Sequence, residues 1–229
     1  MTNPYARILV TRADGTLAVL LYEKNSGVMA WTRIALAHGE IRSVAVTRGE
    51  GGCDIVYFVV YTPSGEFFLE RLDMEKLVYL DSYTSFTGAT NGYSDKAIIF
   101  NATRQKEITV AKYNAMSAEK RAAFYAAGDE AYIGYEYESR IRSMPVLNDD
   151  VTGKKRIAKL VVRFLESYRP VLQVEGRPDE PFTDFNEPFS GIKSIDYPGE
   201  HKRDVYFTLT AHGAQPCTVL AVNAILYQA

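Results

Sequence analysis

The feature that most constrains this chain is a series of tight-turn signals at strand-length intervals from Tyr5 to Leu72. Arg7 to Arg12 and Thr16 to Glu23 are β-rich runs separated by Ala13, Asp14 and Gly15. An Asp-Gly pair supplies the positive φ that a tight hairpin connection needs. Asn25, Ser26 and Gly27 then turn the chain into Met29 to Leu36, and His38 with Gly39 turn it into Ile41 to Thr47. The pattern predicts four antiparallel strands in a meander. A second pair follows. Asp54 to Tyr61 is apolar at both alternating sets of positions, as a strand covered on both sides is, and Glu66 to Leu72 returns through Pro63, Ser64 and Gly65. No helical period fits this region.

A four-stranded meander followed by the start of another resembles one propeller blade and part of the next. One blade closes no ring, so either the chain is a fragment or the sheet packs on something else. The same residues resemble the repeated motif of bacteriophage tail structural proteins of the tail-nozzle (tubular protein B) and head-to-tail stabilisation type. The matching positions are the DGTL turn at Asp14 to Leu17, Tyr22, Ala30 with Trp31, the SVAV strand at Ser43 to Val46, and Glu70. Leu80 to Tyr83, Tyr135 to Pro145, the basic strand from Lys155 and Gln215 to Val222 follow in the order of the family's later segments. The order is the specific part, because each motif alone is degenerate.

The resemblance implies a C-terminal portion of a longer virion protein, assembled in the host cytoplasm into a ring that extends the tail channel through which DNA leaves. Its partners would be itself and other tail proteins. It implies that Trp31 anchors a blade core, that Tyr57 and Tyr61 pack across the sheet, that Tyr22 is a further structural anchor, and that Glu70 meets backbone or arginine partners near a blade edge.

After Asp73 the character changes. The stretch to Gly92 is rich in Ser, Thr, Tyr and Gly, so the reading is a blade-like domain over 1–80, a linker over 81–92 and a second domain over 93–229. Short strands are expected at Lys96 to Ala102 and Glu107 to Tyr113, then one helix over 117–127. Ser117 caps it, Glu119 favours its positive end, Ala118, Ala122, Tyr125 and Ala126 form one face, and Gly128 ends it. Further strands are expected at Tyr132 to Arg140, Arg156 to Glu166, Val171 to Glu175, Val205 to Thr210 and Thr218 to Tyr227, with a long loop from Gly176 to Pro188. In the second of these, Ala158, Leu160, Val162 and Phe164 make the apolar face. The expected fold is mainly β: an antiparallel, propeller-blade-like meander followed by a β-sandwich or barrel-like domain with one short helix.

Recognisable catalytic chemistry is sparse. His38, His201 and His212 have no metal-ligand spacing, and no nucleophile elbow, phosphate loop or dinucleotide fingerprint occurs. The carboxylate pairs Glu136/Glu138, Asp149/Asp150 and Asp179/Glu180 could in principle serve a glycosidase, but they read as solvated charge on a strand face or in loops. No enzyme activity, cofactor or metal is expected. Cys53 and Cys217 are expected to be buried free thiols. Met1 begins no charged region followed by an apolar core, and no segment has the length of a membrane span.

The sharpest electrostatic feature is Lys154, Lys155 and Arg156 with Lys159 and Arg163. It reads as a subunit interface or a passing contact with DNA, against a net charge of -2 that gives no bulk attraction to nucleic acid. Sixteen tyrosines suit sheet surfaces and protein interfaces. The alternative function is a carbohydrate-binding tail or surface module, because exposed Tyr and Trp rings can stack on sugars.

Overall fold

A computed structural model describes residues 6–25, 27–73, 78–90, 92–146, 153–168, 170–173, 180–182, 188–197 and 199–228. The chain is mainly β and its strand pairs are antiparallel, in two compact units, Met1–Tyr135 and Glu136–Ala229.

The first unit begins with β1 (Arg7–Thr11), β2 (Leu17–Glu23) and β3 (Val28–Ile34), which form one three-stranded sheet. β4 (Glu40–Arg48), β5 (Asp54–Tyr61) and β6 (Phe67–Arg71) form another. The Asp14–Gly15 turn works as its residue types require. Asp14 Oδ1 accepts from the backbone N–H and the hydroxyl of Thr16, Gly15 adopts φ +76°, and a Cβ there would lie 2.7 Å from the Glu40 side chain. The Gly15 carbonyl also accepts from the N–H of Ile41 at 2.8 Å, which ties the first hairpin to β4.

The sequence reading places β4 in the same sheet as β1 to β3. Instead β4 pairs with β5, from Glu40↔Tyr61 to Arg48↔Asp54, with a bulge between Ile41 and Ser43. The physical reason is burial. Leu17 and Val19 of β2 meet Ile41, Val56, Phe58 and Val60 in one core, so two three-stranded sheets face each other where a single four-stranded blade was expected.

The residues expected to be a linker hold a strand, β7 (Leu80–Ser85), which opens the order β7-β10-β8-β9 with β8 (Ile98–Asn101), β9 (Lys106–Thr109) and β10 (Ala131–Glu136). Gly134 lets β10 approach β7 closely, since a Cβ there would meet the Asp81 carbonyl and the Tyr83 Cβ at 2.8 Å. Two helices cover this sheet. α1 (Val110–Asn114) lies where the sequence reading continues a strand, and its cap is Thr109, whose hydroxyl accepts from the N–H of Lys112. α2 (Ala118–Phe124) has the expected Ser117 cap but ends at Phe124, before Gly128. Phe124 is its buried contact in place of the alanine face, and it packs with Phe86, Ile99, Val110, Tyr113 and Ile133.

The second unit pairs β11 (Ser139–Arg142) with β16 (Thr208–Ala211), in the order β11-β16-β13-β14 with β13 (Pro170–Gln173) and β14 (Glu180–Pro181). A second sheet runs β15-β12-β17, with β12 (Lys155–Ser167) between β15 (Phe189–Asp196) and β17 (Thr218–Gln228). Ile157, Leu160, Val162 and Phe164 of β12 meet Leu172 and Leu209 of the facing sheet and Phe207 just before β16, so this unit is a β-sandwich. Ile157 replaces Ala158 on the buried face because the pairing of β12 with β17 shifts between Ile157 and Lys159. The expected loop over 176–188 lies largely outside the described residues.

Candidate interaction surfaces

The exposed side chains fall on sheet faces that strand alternation makes readable. In the β1–β3 sheet, Leu9, Val19 and Thr32 align toward the core, as do Thr11, Leu17 and Ile34. The alternate rows point the other way: Ile8, Leu20 and Trp31; Val10, Ala18 and Arg33; Tyr22 and Met29. Trp31 is 61% exposed, Met29 69%, Ile8 56% and Tyr22 46%. Trp31 and Tyr22 are therefore surface residues of this sheet, and the expected burial of Trp31 in a blade core does not hold. The reason is its even register with Ile8 and Leu20 on the side away from Val19.

The β4–β6 sheet repeats this arrangement. Val56, Phe58 and Val60 face the core, while Tyr57, Val59 and Tyr61 align with Arg71, Leu69 and Phe67 on the outer face. Leu69 is 72% exposed and Phe67 65%. Tyr61 lies 4.9 Å from the Phe67 ring, and the Arg42 guanidinium sits 5.1 Å over Tyr61. Tyr57 is half-buried here, with Ala45 and Arg71 as its cross-strand neighbours.

Glu70 finds neither of its expected partners among the bonds seen here; its Oε1 accepts from the Ser82 hydroxyl at 2.7 Å. Ser82 adopts φ +49°, and its carbonyl accepts from the Tyr93 hydroxyl. Next to it Asp81 accepts from the N–H of Ala37 at 2.7 Å. Burial pushes the Asp81 carboxyl up to about 6, with the nearby Glu70 carboxylate adding to the rise and the Ala37 N–H opposing it. Burial likewise raises the Tyr93 and Tyr83 hydroxyls, and Tyr83 donates to Asp73. His38 stacks on Tyr135 with centroids 4.0 Å apart, so it contributes more than a turn. This polar group escaped the sequence reading because its members come from widely separated segments. The signals were Glu70 and the Leu80 to Tyr83 stretch, singled out for their resemblance alone.

A second polar hub has a structural role. Asp129 accepts from the N–H of Ala126, from Asn101 Nδ2 and from Arg104 Nε, and these bonds hold its carboxyl down at about 2. Asn101 also donates to the Phe124 carbonyl, joining β8 to the end of α2.

In the second unit the basic run divides. Lys155 is 2% exposed and belongs to the interior, whereas Lys154 and Arg163 are exposed. The irregularity at Ala158 leaves Arg156 and Lys159 on one face of β12, where Arg156 is opposite Tyr227 and Lys159 opposite both Ile225 and Asp196. Lys159 bridges Asp196 at 3.4 Å. The Arg156 guanidinium lies 5.4 Å over the Tyr227 ring, and its buried Nε has no hydrogen-bond partner among the described residues. Arg156, Lys159, Asp196, Tyr197, Ile225 and Tyr227 with Ala158 line an open cavity of about 620 Å³. Cross-strand pairing thus gathers cations and aromatic rings that are dispersed along the chain.

Of the remaining candidates, Glu136 Oε1 accepts from the N–H of Gly213 at 2.7 Å, a structural role. Asp149, Asp150, Asp179 and the Glu180 side chain lie outside the described residues. Both cysteines are free, but Cys53 is exposed where burial was expected, because it follows the turn at Glu50–Gly52 at the start of β5. Cys217 is half-buried, and burial raises its thiol against a hydrogen bond with Ser167. Among the described residues no group of three His, Cys, Asp or Glu side chains could share a metal ion, and no helix is long and apolar enough to cross a membrane. No protein-family model matches the chain, and no curated protein matches it significantly.

Proposed function

We propose that this chain is a non-enzymatic structural subunit, or part of one, of a phage or prophage tail, contributing to a nozzle or hub ring that conducts DNA. Two things support the reading. The motif order from Asp14 to Val222 resembles that family, and the outer faces of both sheets in the first sandwich carry exposed large apolar side chains. The second observation carries the most weight. Contiguous apolar surface rimmed by polar residues is what an assembly interface requires. Arg156, Lys159 and Arg163 on the outer face of β12 would supply the passing contact with DNA, and such contact would weaken steeply with added salt.

The test is the mass of the purified protein over a concentration series, by light scattering, with the same samples imaged by negative-stain electron microscopy. Discrete rings or a concentration-driven oligomer are expected. A strict monomer at every concentration counts against the reading.

One observation favours a second reading, a carbohydrate-binding module: the cavity where Tyr227 and Tyr197 stand beside Arg156 and Lys159. That arrangement suits an acidic sugar, with a ring stacked on tyrosine and its carboxylate near the cations. Glycan binding lost in Tyr227→Ala, from a protein that does not assemble, would replace the first reading with this one.

A further inference from the structure

The first sandwich has two apolar outer faces, and they point in opposite directions. The inner faces of β1–β3 and β4–β6 meet in one core of Leu17, Val19, Ile41, Val56, Phe58 and Val60. The outward rows therefore lie on opposite sides of a single small body. One side presents Ile8, Leu20, Met29 and Trp31, and the other presents Tyr57, Val59, Phe67 and Leu69.

We infer that the β1–β3 face of one copy packs on the β4–β6 face of the next, so that the chain self-associates head to tail. The inference rests on the assembly reading above and assigns its contact. The occupant is a second copy because one molecule carries both halves of the contact and their apolar area comes near what a specific contact between copies needs. The exposed fractions amount to on the order of 700 Å² of apolar surface over the two faces. With a polar rim this approaches the roughly 1,000 Å² that a specific interface needs.

The chemistry of the faces suits stacking. Outer rows of a twisted sheet pack on another sheet about 10 Å away, with side chains interdigitating. Trp31 stands at the middle of β3, between Met29 and Arg33 on its own strand and beside Leu20 on the next. Arg33 is the one charged side chain in the outward rows of β1–β3, and it lies at their border, where a polar rim belongs. On the opposite face Leu69 and Phe67 flank the rings of Tyr57 and Tyr61. Unlike surfaces meeting in this way leave one free face at each end of any open assembly. Growth is then linear and polar, and a ring results when the rotation closes.

The test uses two charge substitutions at exposed positions, Trp31→Glu on one face and Leu69→Glu on the other. Met29→Glu repeats the first without removing the aromatic ring, and circular dichroism confirms that each variant keeps the wild-type fold. In sedimentation or light scattering the wild type should grow with concentration, while each variant alone stays monomeric. Mixed in equal amounts, the two should give a one-to-one heterodimer that grows no further. Trp31→Glu retains an intact β4–β6 face and Leu69→Glu an intact β1–β3 face, so the pair holds one functional contact. Self-association of Leu69→Glu alone would overturn the inference in favour of a like-with-like contact. Rings formed equally well by both variants would overturn this interface and leave the tail reading standing. A wild type that stays monomeric throughout overturns both.

Discussion

Asp81 makes a sharp test of the energetics, because its carboxyl is worth more to the folded chain protonated than ionised. Its pKa is pushed from the ordinary 3.8 up to about 6, chiefly by burial and further by the Glu70 carboxylate, against the stabilising N–H of Ala37. The sign follows from proton counts. Between these two values the folded chain holds a proton that the unfolded chain has released, so stability is fully present below about pH 4 and declines as pH rises through 6. A shift of about two units corresponds to about 3 kcal/mol in all, of which about 2 kcal/mol falls between about pH 4.5 and 7.5.

Asp81→Asn removes the titration and keeps a side-chain oxygen for the Ala37 N–H. Urea unfolding of both proteins at the two pH values gives a double difference in which every titrating group not coupled to Asp81 cancels. The expected result is a wild type that loses about 2 kcal/mol more than Asp81→Asn on going from the lower to the higher pH. Parallel pH dependence of the two proteins would refute the argument that burial, and not the Ala37 hydrogen bond, dominates at this carboxyl.

Exposure reverses the usual ranking of aromatic truncations in the first sandwich. Trp31 is 61% exposed and Phe58 4%, so Phe58→Ala should cost about 3 to 5 kcal/mol and Trp31→Ala no more than about 2 kcal/mol, read from urea midpoints. Equal costs would place Trp31 in a core after all. Asp129, held down at about 2 by three hydrogen-bond donors, contributes stability that is present above the ordinary carboxylate value and is lost as pH falls toward 2. Asp129→Asn should flatten the acid limb of the unfolding curve and leave the neutral region's slope unchanged. Alkylation followed by mass spectrometry should label Cys53 well before Cys217, because one thiol is exposed and the other is half-buried with its pKa raised; simultaneous labelling would contradict that difference.

What could be read from the sequence was local chemistry, and what escaped it was partnership at a distance. The Asp14–Gly15 and Pro63–Gly65 turns, the limits of β5 and the Ser117 cap follow from residue types that act within a few positions of themselves. The mainly β class follows from summing such signals. Assigning β4 to a sheet is a different problem, since a strand that alternates well can pair with either neighbour in sequence. Burying Ile41 against Val56, Phe58 and Val60 decides it. The α1 helix was missed because Val110 and Tyr113 suit a strand as readily as a short helix, and packing against Phe86 and Phe124 selects the helix.

The candidate surfaces divide in the same way. Alternation along β12 correctly sends Arg163 outward, yet a one-residue irregularity at Ala158 puts Ile157 in the core. Sequence period alone cannot report such a shift, because it depends on Ala158 of β12 being skipped in the pairing with β17. Trp31 shows the deeper limit. A lone tryptophan in a strand invites a core assignment, and its large apolar area justifies that only if some surface covers it. Within this chain nothing among the described residues buries it, and the same holds for Leu69 on the opposite face. Their exposure locates the unsatisfied part of the hydrophobic pattern on the two sides of one sandwich, so the residues least explained by the fold are the ones that best specify how a neighbour would attach.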